Sequence, residues 1–243
     1  MKEVRFFYAP DASTAGVLPE EESAHALRVL RLKSGDSLML MDGAGCFYEA
    51  EVTSTAGHRC NYTVLRKMPQ ERQWSGHIHL AIAPTKMMER MEWLVEKVVE
   101  VGVDELSFLD CQFSERRIMK MPRIEKIVLA AMKQSHKAWK PRLNDMQDFR
   151  RFVAEHNEGR RYIAHCYEEV PRVSLFGELC KPSASSDALV LVGPEGDFSI
   201  GEVQAAVAAG FVSVDLGKSR LRTETAGLSA VMMMQLSQPV IIT

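Results

Sequence analysis

The apolar and polar positions of this chain change period along its length. Up to about Gln70 the apolar residues fall in short runs broken by turn residues, the pattern of β-strands. Arg5-Phe6-Phe7-Tyr8 opens the series. Ser37-Leu38-Met39-Leu40-Met41 and Cys46-Phe47-Tyr48-Glu49-Ala50-Glu51-Val52 follow, joined by Asp42-Gly43-Ala44-Gly45, whose Asp-Gly pair is a hairpin signal. Only residues 20–32 interrupt the strands, with Ala24, Leu27 and Leu30 at helical spacing. A small β-barrel with one helix is the economical reading. The polar, proline-bearing stretch Lys67-Met68-Pro69-Gln70-Glu71-Arg72-Gln73 then separates regions of different periodicity, so domains are expected over residues 1–70 and 74–243.

Beyond it, strands and helices alternate. His77-Ile78-His79-Leu80-Ala81-Ile82-Ala83 reads as a strand. Residues 86–101 read as a helix, with Met87, Met91, Leu94, Val95 and Val98 on one side and Gly102 as its stop. Leu106-Ser107-Phe108-Leu109 is the next strand, and a helix over 122–138 is opened by Pro122. On that helix Ile124, Val128 and Met132 face inward while Lys126, Lys133 and Lys137 face out. An amphipathic helix over 145–155 and a strand over 161–166 come next. Ala188-Leu189-Val190-Leu191-Val192 is a continuous apolar run, suited to a parallel sheet covered on both faces. A last strand, 211–216, leads into a nearly all-apolar helix, which can serve the core or an oligomer interface. The whole predicts an α/β domain with a mostly parallel sheet.

Two loops stand where a strand gives way to a helix: Gly193-Pro194-Glu195-Gly196-Asp197-Phe198-Ser199 and Leu216-Gly217-Lys218-Ser219-Arg220-Leu221-Arg222-Thr223-Glu224-Thr225-Ala226. Ser199 with Glu202 predicts a capping box, and Thr223 or Thr225 a cap for the final helix. Consecutive parallel strands would put both loops on one sheet edge, where ligands of open α/β sheets bind. The spacing is neither the dinucleotide Gly-x-Gly-x-x-Gly nor a Walker loop. Gly193, Pro194 and Gly196 allow a tight turn that offers backbone groups to a planar ligand. One such loop also reads as a plain structural turn; two, with Arg222 at the head of a helix, read as a small-molecule site.

With 243 residues the chain has room for one large domain or two smaller ones. It has no apolar stretch of membrane-spanning length, and Met1-Lys2-Glu3-Val4-Arg5-Phe6 lacks the order of a secretory leader, so a cytoplasmic protein without a membrane partner is expected. The five cysteines are scattered, which points to reduced thiols. His77 and His79 share a strand face but have no third ligand nearby, so they read as half-exposed strand histidines and no metal is expected. The formal net charge of -2 conceals a basic segment: eleven Lys or Arg against four acids between residues 114 and 151. With His136, Trp139 and Phe149 interleaved, it suits either an RNA backbone or a solvated helical face.

Residues 188–202 (ALVLVGPEGDFSIGE) and 216–226 (LGKSRLRTETA) closely resemble the C-terminal signatures of the SPOUT-class 16S ribosomal RNA uridine-N3 methyltransferases. Residues 89–97, the Glu115-Arg116 pair and Lys133-Gln134-Ser135 are similar to that family's central motifs, and residues 25–32 with Gly35-Asp36 and Asp42-Gly43 to its N-terminal barrel. Asp197 stands where many members have a second glycine, and Lys218-Ser219 alters the connection before Arg220. The resemblance implies a PUA-like β-barrel followed by a SPOUT (α/β trefoil-knot) methyltransferase domain. It further implies S-adenosyl-L-methionine as methyl donor, a homodimer with active sites at its interface, and 16S rRNA or the small ribosomal subunit as partner. Leu191, Gly193, Glu195 and Gly196 become one wall of the cofactor site, and Leu216, Gly217, Leu221, Arg222 and Thr223 the other. Arg222 becomes the orienting or stabilising cation and Glu224 a candidate proton acceptor, although an acid there also suits the helix dipole. Arg28, Arg31, Arg116, Lys133 and Lys137 become RNA contacts. The Ser-Leu-Asn run of ribose 2'-O methyltransferases is absent. A non-catalytic RNA-binding or ribosome-assembly protein on the same fold stays open, and cofactor binding would separate it from an enzyme.

Overall fold

The computed structural model describes residues 5–239. The start of the expected leader-free N-terminus, Met1 to Val4, lies outside them, as do the last four residues of the chain. The chain divides into two compact units: the residues up to Arg72 with Leu129–Lys140, and Gln73–Val128 with the residues from Pro141 onward.

In the first unit, β1 (Phe6–Tyr8), β2 (Ser37–Met41), β3 (Cys46–Ser54) and β4 (Asn61–Pro69) form a sheet in sequence order. The pair β1–β2 is parallel and the other two pairs are antiparallel. Alternation along β3 buries Cys46, Tyr48, Ala50 and Val52 against Phe7, Leu38, Leu40 and Tyr62, as period-two patterning requires. The stretch at residues 16–18 adds beside β4, with Tyr62 N–H donating to Gly16 O at 2.9 Å. The expected helix begins as α1 (Glu20–Ala24), widens into a π-helical turn over His25–Val29, and is followed by Arg31 with φ +53. At the β2–β3 turn the Asp42 carboxylate accepts the Ala44 and Cys46 N–H groups and the Tyr48 hydroxyl. Residues 138–140 close over this turn: Gly45 N–H donates to Ala138 O at 3.0 Å and Lys140 N–H to Gly43 O at 2.8 Å. Gly45 has φ +97, and a Cβ there would lie 2.2 Å from the Trp139 ring. The ring carries the Arg72 guanidinium on its other contacts, 4.5 Å from its centroid.

The second unit contributes β5 (Ile78–Ile82), α2 (Met88–Val101), β6 (Glu105–Asp110), α3 (Met121–Ser135), β7 (Arg142–Asp148), α4 (Phe149–Glu155), β8 (Arg160–Ala164), β9 (Val173–Ser174), α5 (Leu175–Leu179), β10 (Ala188–Val192), α6 (Ile200–Ala208), β11 (Val212–Asp215) and α7 (Thr223–Leu236). The unit boundary falls inside α3, after Val128. The strands form a fully parallel sheet in the order β7-β6-β5-β10-β8-β11-β9. One face packs Ala81, Leu109, Ile163 and Leu191 under Phe149 and Phe152 of α4 and Val203 of α6. The other face carries α2 and α7, where Gly227 lets the last helix approach: a Cβ at that position would fall 2.9 Å from Ile82 Cδ1. Burial on both faces explains why β10 is apolar at every position.

Three local expectations are corrected. Only Phe149–Glu155 of the expected 145–155 helix is helical. Residues 142–148 are an edge strand, and Asp148 caps the helix by accepting the Arg151 N–H at 3.0 Å. The preceding helix stops at Ser135 because His136 turns left-handed at φ +53. His79 is not half-exposed: it is buried, its Nε2 lies 2.8 Å from Ser107 Oγ, and burial drives its pKa down to about 3. His77 is exposed and pairs with Glu105.

Replacing Gly45 with alanine combines a positive φ with a collision against Trp139. Gly45→Ala is expected to destabilise the protein by about 1–3 kcal/mol, read from urea unfolding followed by tryptophan fluorescence; an unchanged midpoint would contradict the packing.

Candidate functional site

Parallel strands all deliver their C-terminal ends to one sheet edge, and there the glycine loops are found. The first loop leaves β10, the central strand. Gly193 is buried and closely wrapped, since a Cβ on it would lie 2.9 Å from Phe198 N. Two carboxylates of the loop and one from the first turn of α6 fasten it to three other strand exits. Glu195 accepts the Lys86 N–H after β5, at 3.1 and 3.3 Å to its two oxygens. Asp197 Oδ2 accepts the Cys166 N–H after β8 at 2.7 Å, and Oδ1 accepts the Phe198 N–H at 2.7 Å. Glu202 Oε1 accepts the Gln112 N–H after β6 at 2.8 Å. Its Oε2 completes the capping box with the Ser199 N–H at 2.7 Å, so the predicted box forms.

Asp197 has φ +66, in the region that glycine enters freely and aspartate tolerates better than most residues. Its two carboxylate bonds hold that conformation. The departure from the glycine of the resembled signature therefore keeps the backbone and adds a tether.

The second loop leaves β11. Gly217 has φ +108, with nothing within 4 Å of the place a Cβ would take, and its N–H donates to Asp215 Oδ1 at 2.9 Å. Leu216 and Leu221 are half-buried. Arg222, exposed, is the N-cap residue of α7 with extended backbone (φ -73, ψ 157), and no side chain caps the helix. The expected threonine cap is thus corrected: Thr223 is already the first helical residue, past the position from which a hydroxyl reaches back to N2 or N3. Glu224 follows, buried at 7% exposure, with Arg90 Nε 3.8 Å from its Oε1 and no hydrogen-bond partner for Oε2.

The two loops are consecutive in sequence but their strands are not adjacent. Strand β8 lies between β10 and β11, which separates the loops by about 10 Å at ordinary strand spacing. The exit of β8 fills the interval with residues that periodicity had not singled out. His165 is buried, with burial lowering its pKa; its Nδ1 accepts the Tyr167 N–H and its Nε2 has no partner. Tyr167 donates its hydroxyl to Phe198 O at 2.8 Å, and burial raises the Cys166 thiol. Strand order was the missing signal. Leu191 lies apart from this edge chemistry, its side chain fully buried in the core beneath α4 and α6.

Among the RNA-contact expectations, Arg28 and Arg31 are exposed on the π turn and just after it. Lys133 is half-buried against Glu22, its Nζ 2.6 Å from Oε1, and Lys137 is half-buried with its pKa lowered by burial. All four belong to the first unit. Arg116 belongs to the second, where its Nε donates to Thr85 O at 3.2 Å and its Nη2 to Lys86 O at 2.6 Å. Among the described residues no group of three His, Cys, Asp or Glu is placed to hold a metal ion, and no helix is long and apolar enough to cross a membrane.

A family model for the RNA methyltransferase domain matches residues 72–235, and one for the RNA methyltransferase PUA domain matches residues 18–61. The chain belongs to the RNA methyltransferase family. Its architecture is accordingly a PUA-like domain followed by an α/β methyltransferase domain with a parallel sheet. A probable rRNA-methyltransferase from Porphyromonas gingivalis is 43% identical, with a TM-score of 0.89 over 97% of this chain and 98% of that one. Ribosomal RNA small subunit methyltransferase E from Neisseria gonorrhoeae, solved bound to S-adenosyl methionine, is 28% identical, with a TM-score of 0.82 over 96% of this chain and 98% of that one. The protein of the same name from Synechocystis is 28% identical over 204 residues, which make up 82% of this chain and 65% of that one.

Asp197→Ala should lose two charge-assisted bonds and add strain, lowering stability by about 2–3 kcal/mol, whereas Asp197→Gly, which relieves the strain, should cost less. Chemical denaturation of both variants checks the order; alanine as mild as glycine would deny the tether.

Proposed function

We propose that the protein is an S-adenosylmethionine-dependent methyltransferase acting on N3 of a uridine in 16S rRNA. The supporting observation is the pair of open strand-to-helix loops at one edge of a parallel sheet, in a chain of this family. The residues fit the cofactor. Gly217 has open space where a side chain would stand and Gly196 is exposed, and the buried, unpartnered Glu224 oxygen suits a ligand with cationic groups. Bound there, S-adenosylmethionine supplies an electrophilic methyl group. Gly193, Glu195 and Gly196 would shape one wall of its site, and Leu216, Gly217, Leu221, Arg222 and Thr223 the other. The buried side chain of Leu191 supports the wall from below.

The chain's own groups must then orient uracil and manage its N3 proton. Alignment of N3 with the reacting carbon carries much of the acceleration. Loss of the proton spreads negative charge onto the flanking carbonyl oxygens, and Arg222, exposed at the head of α7, is the cation assigned to meet it. The uncapped start of α7 adds N–H groups and the positive end of the helix dipole. Glu224 is the carboxylate on hand as proton acceptor.

The finer reading extends to assembly and partners. Residues 1–70 serve as a PUA-like RNA-binding domain and 74–243 as the SPOUT domain, working as a cytoplasmic homodimer on 16S rRNA or the small subunit. A trefoil knot is supported by the late strand β10 lying between β5 and β8 while the last helix returns onto α2 and β5. Arg28 and Arg31, both exposed in the first unit, are the proposed backbone contacts; Lys133, paired with Glu22, and the half-buried Lys137 are set behind them in that role.

Incubation with labelled S-adenosylmethionine and small subunits lacking the modification, followed by mapping, should place the label on uridine N3. Methylation elsewhere would overturn the substrate, and absence of cofactor binding would favour a non-catalytic RNA-binding protein. Arg222→Ala should lower turnover about a hundredfold or more at saturating cofactor; near-normal turnover with intact cofactor binding would reject its role. Neutralising Arg28 and Arg31 together should flatten the logarithmic salt dependence of RNA binding by about two, which titrations at several salt concentrations measure.

A further inference from the structure

Arg116 belongs to a basic segment that could follow RNA, yet its guanidinium is turned onto the protein. Its Nε and Nη2 donate to the consecutive carbonyls Thr85 O and Lys86 O, at 3.2 and 2.6 Å. The N–H of the same Lys86 residue is held from the other side by both oxygens of Glu195, at 3.1 and 3.3 Å. Three strand exits are thereby joined, and their strands lie side by side in the sheet in the order β6, β5, β10. Arg116 comes from the exit of β6, Lys86 from that of β5, Glu195 from that of β10. The two side chains carry opposite charges and bond to the N–H and the C=O of one residue between them.

Fork geometry matters here. A guanidinium presents parallel N–H groups that fit two neighbouring carbonyls, which an ammonium cannot match. The side chain of Lys86 plays a different part: its Nζ lies 2.9 Å from Glu115, with both groups well exposed, a pairing of little energetic weight. Arg117 is likewise engaged nearby, with Asp110 and with Gln112 O.

We propose that Arg116 is a positioning residue for the glycine loop of the cofactor site, acting through the Lys86 backbone on Glu195 and not through contact with RNA. The proposal rests on the reading of that loop as a wall of the S-adenosylmethionine site. Release of the 85–86 backbone removes the fixed donor that Glu195 grips, and the Gly193–Gly196 turn loses its anchor on the β5 side.

The test uses the full-length protein and two titrations, calorimetry with S-adenosylmethionine and RNA binding at a series of salt concentrations. Wild type must first bind the cofactor; if it does not, the functional reading itself fails, independently of Arg116. Given wild-type binding, Arg116→Ala is expected to weaken the cofactor about tenfold, the worth of one charge-assisted hydrogen bond, and to leave the slope of RNA affinity against salt unchanged. Arg116→Lys keeps the charge and the fold but not the fork, and is expected to weaken cofactor binding as alanine does. At saturating cofactor both variants should regain wild-type kcat, with KM raised for the cofactor and not for the RNA. Unchanged cofactor affinity in Arg116→Lys, or a salt slope reduced by about one in Arg116→Ala, would overturn the proposal.

Discussion

Three carboxylates within eight consecutive residues hold the loop-bearing edge of the sheet together. Glu195, Asp197 and Glu202 each accept a backbone N–H from a different strand exit: Lys86 after β5, Cys166 after β8, Gln112 after β6. Strand exits at the open edge of a parallel sheet leave the ladder with N–H groups that must find partners. One loop leaving the central strand, together with the first turn of the helix after it, supplies the acceptors. Charged acceptors make these bonds stronger than carbonyls would, so the loop is stiffened by the bonds that complete the edge. A ligand meeting such a loop encounters backbone groups already in place, and less ordering has to accompany binding.

The same constraint explains why a glycine-bearing loop carries acids. The Glu195 carboxylate is engaged with Lys86, so its contribution to a ligand lies in the shape it imposes on Gly193-Pro194-Glu195-Gly196. Glu224 contrasts with it. That carboxylate is buried at the first turn of α7, has one oxygen without a partner, and faces an arginine only at 3.8 Å. A charge kept in that condition costs stability unless a function or a ligand accounts for it. The edge thus holds acids fully engaged in building the loop and one buried acid with an oxygen left without a partner.

Legibility in the sequence followed the range of the interaction. Local rules held where local physics decides: the Asp-Gly turn between β2 and β3, the Ser199–Glu202 capping box, and the uniformly apolar β10 of a doubly covered sheet. The expectation of helix over residues 145–148 failed because Met146 and Phe149 fit a helical stripe as well as a strand running into a helix, and only pairing with β6 decides between them. The His79 environment depended on Ser107, from another strand, and could not be read from the alternation of its own. The two glycine loops were visible as a pair, but the β8 exit that separates them was not, since sequence order gives no strand order. His165 and Tyr167 enter the site only through that topology.

The basic segment shows how a composition signal dissolves into separate tasks once contacts are known. Trp139 and Lys140 close the turn of the first unit, Lys133 neutralises a buried Glu22, and Arg116 grips the backbone after β5. Each of these has a partner inside its own unit, so the summed positive charge overstates what reaches a polyanion. Arg28 and Arg31 present the opposite case, two cations on irregular backbone, a π turn and a left-handed residue, where short-range preference would have put a plain helix end. Both guanidinium groups are exposed there, and Arg31 takes a left-handed backbone (φ +53). A polyanion would meet these exposed cations before the greater number already paired within the fold.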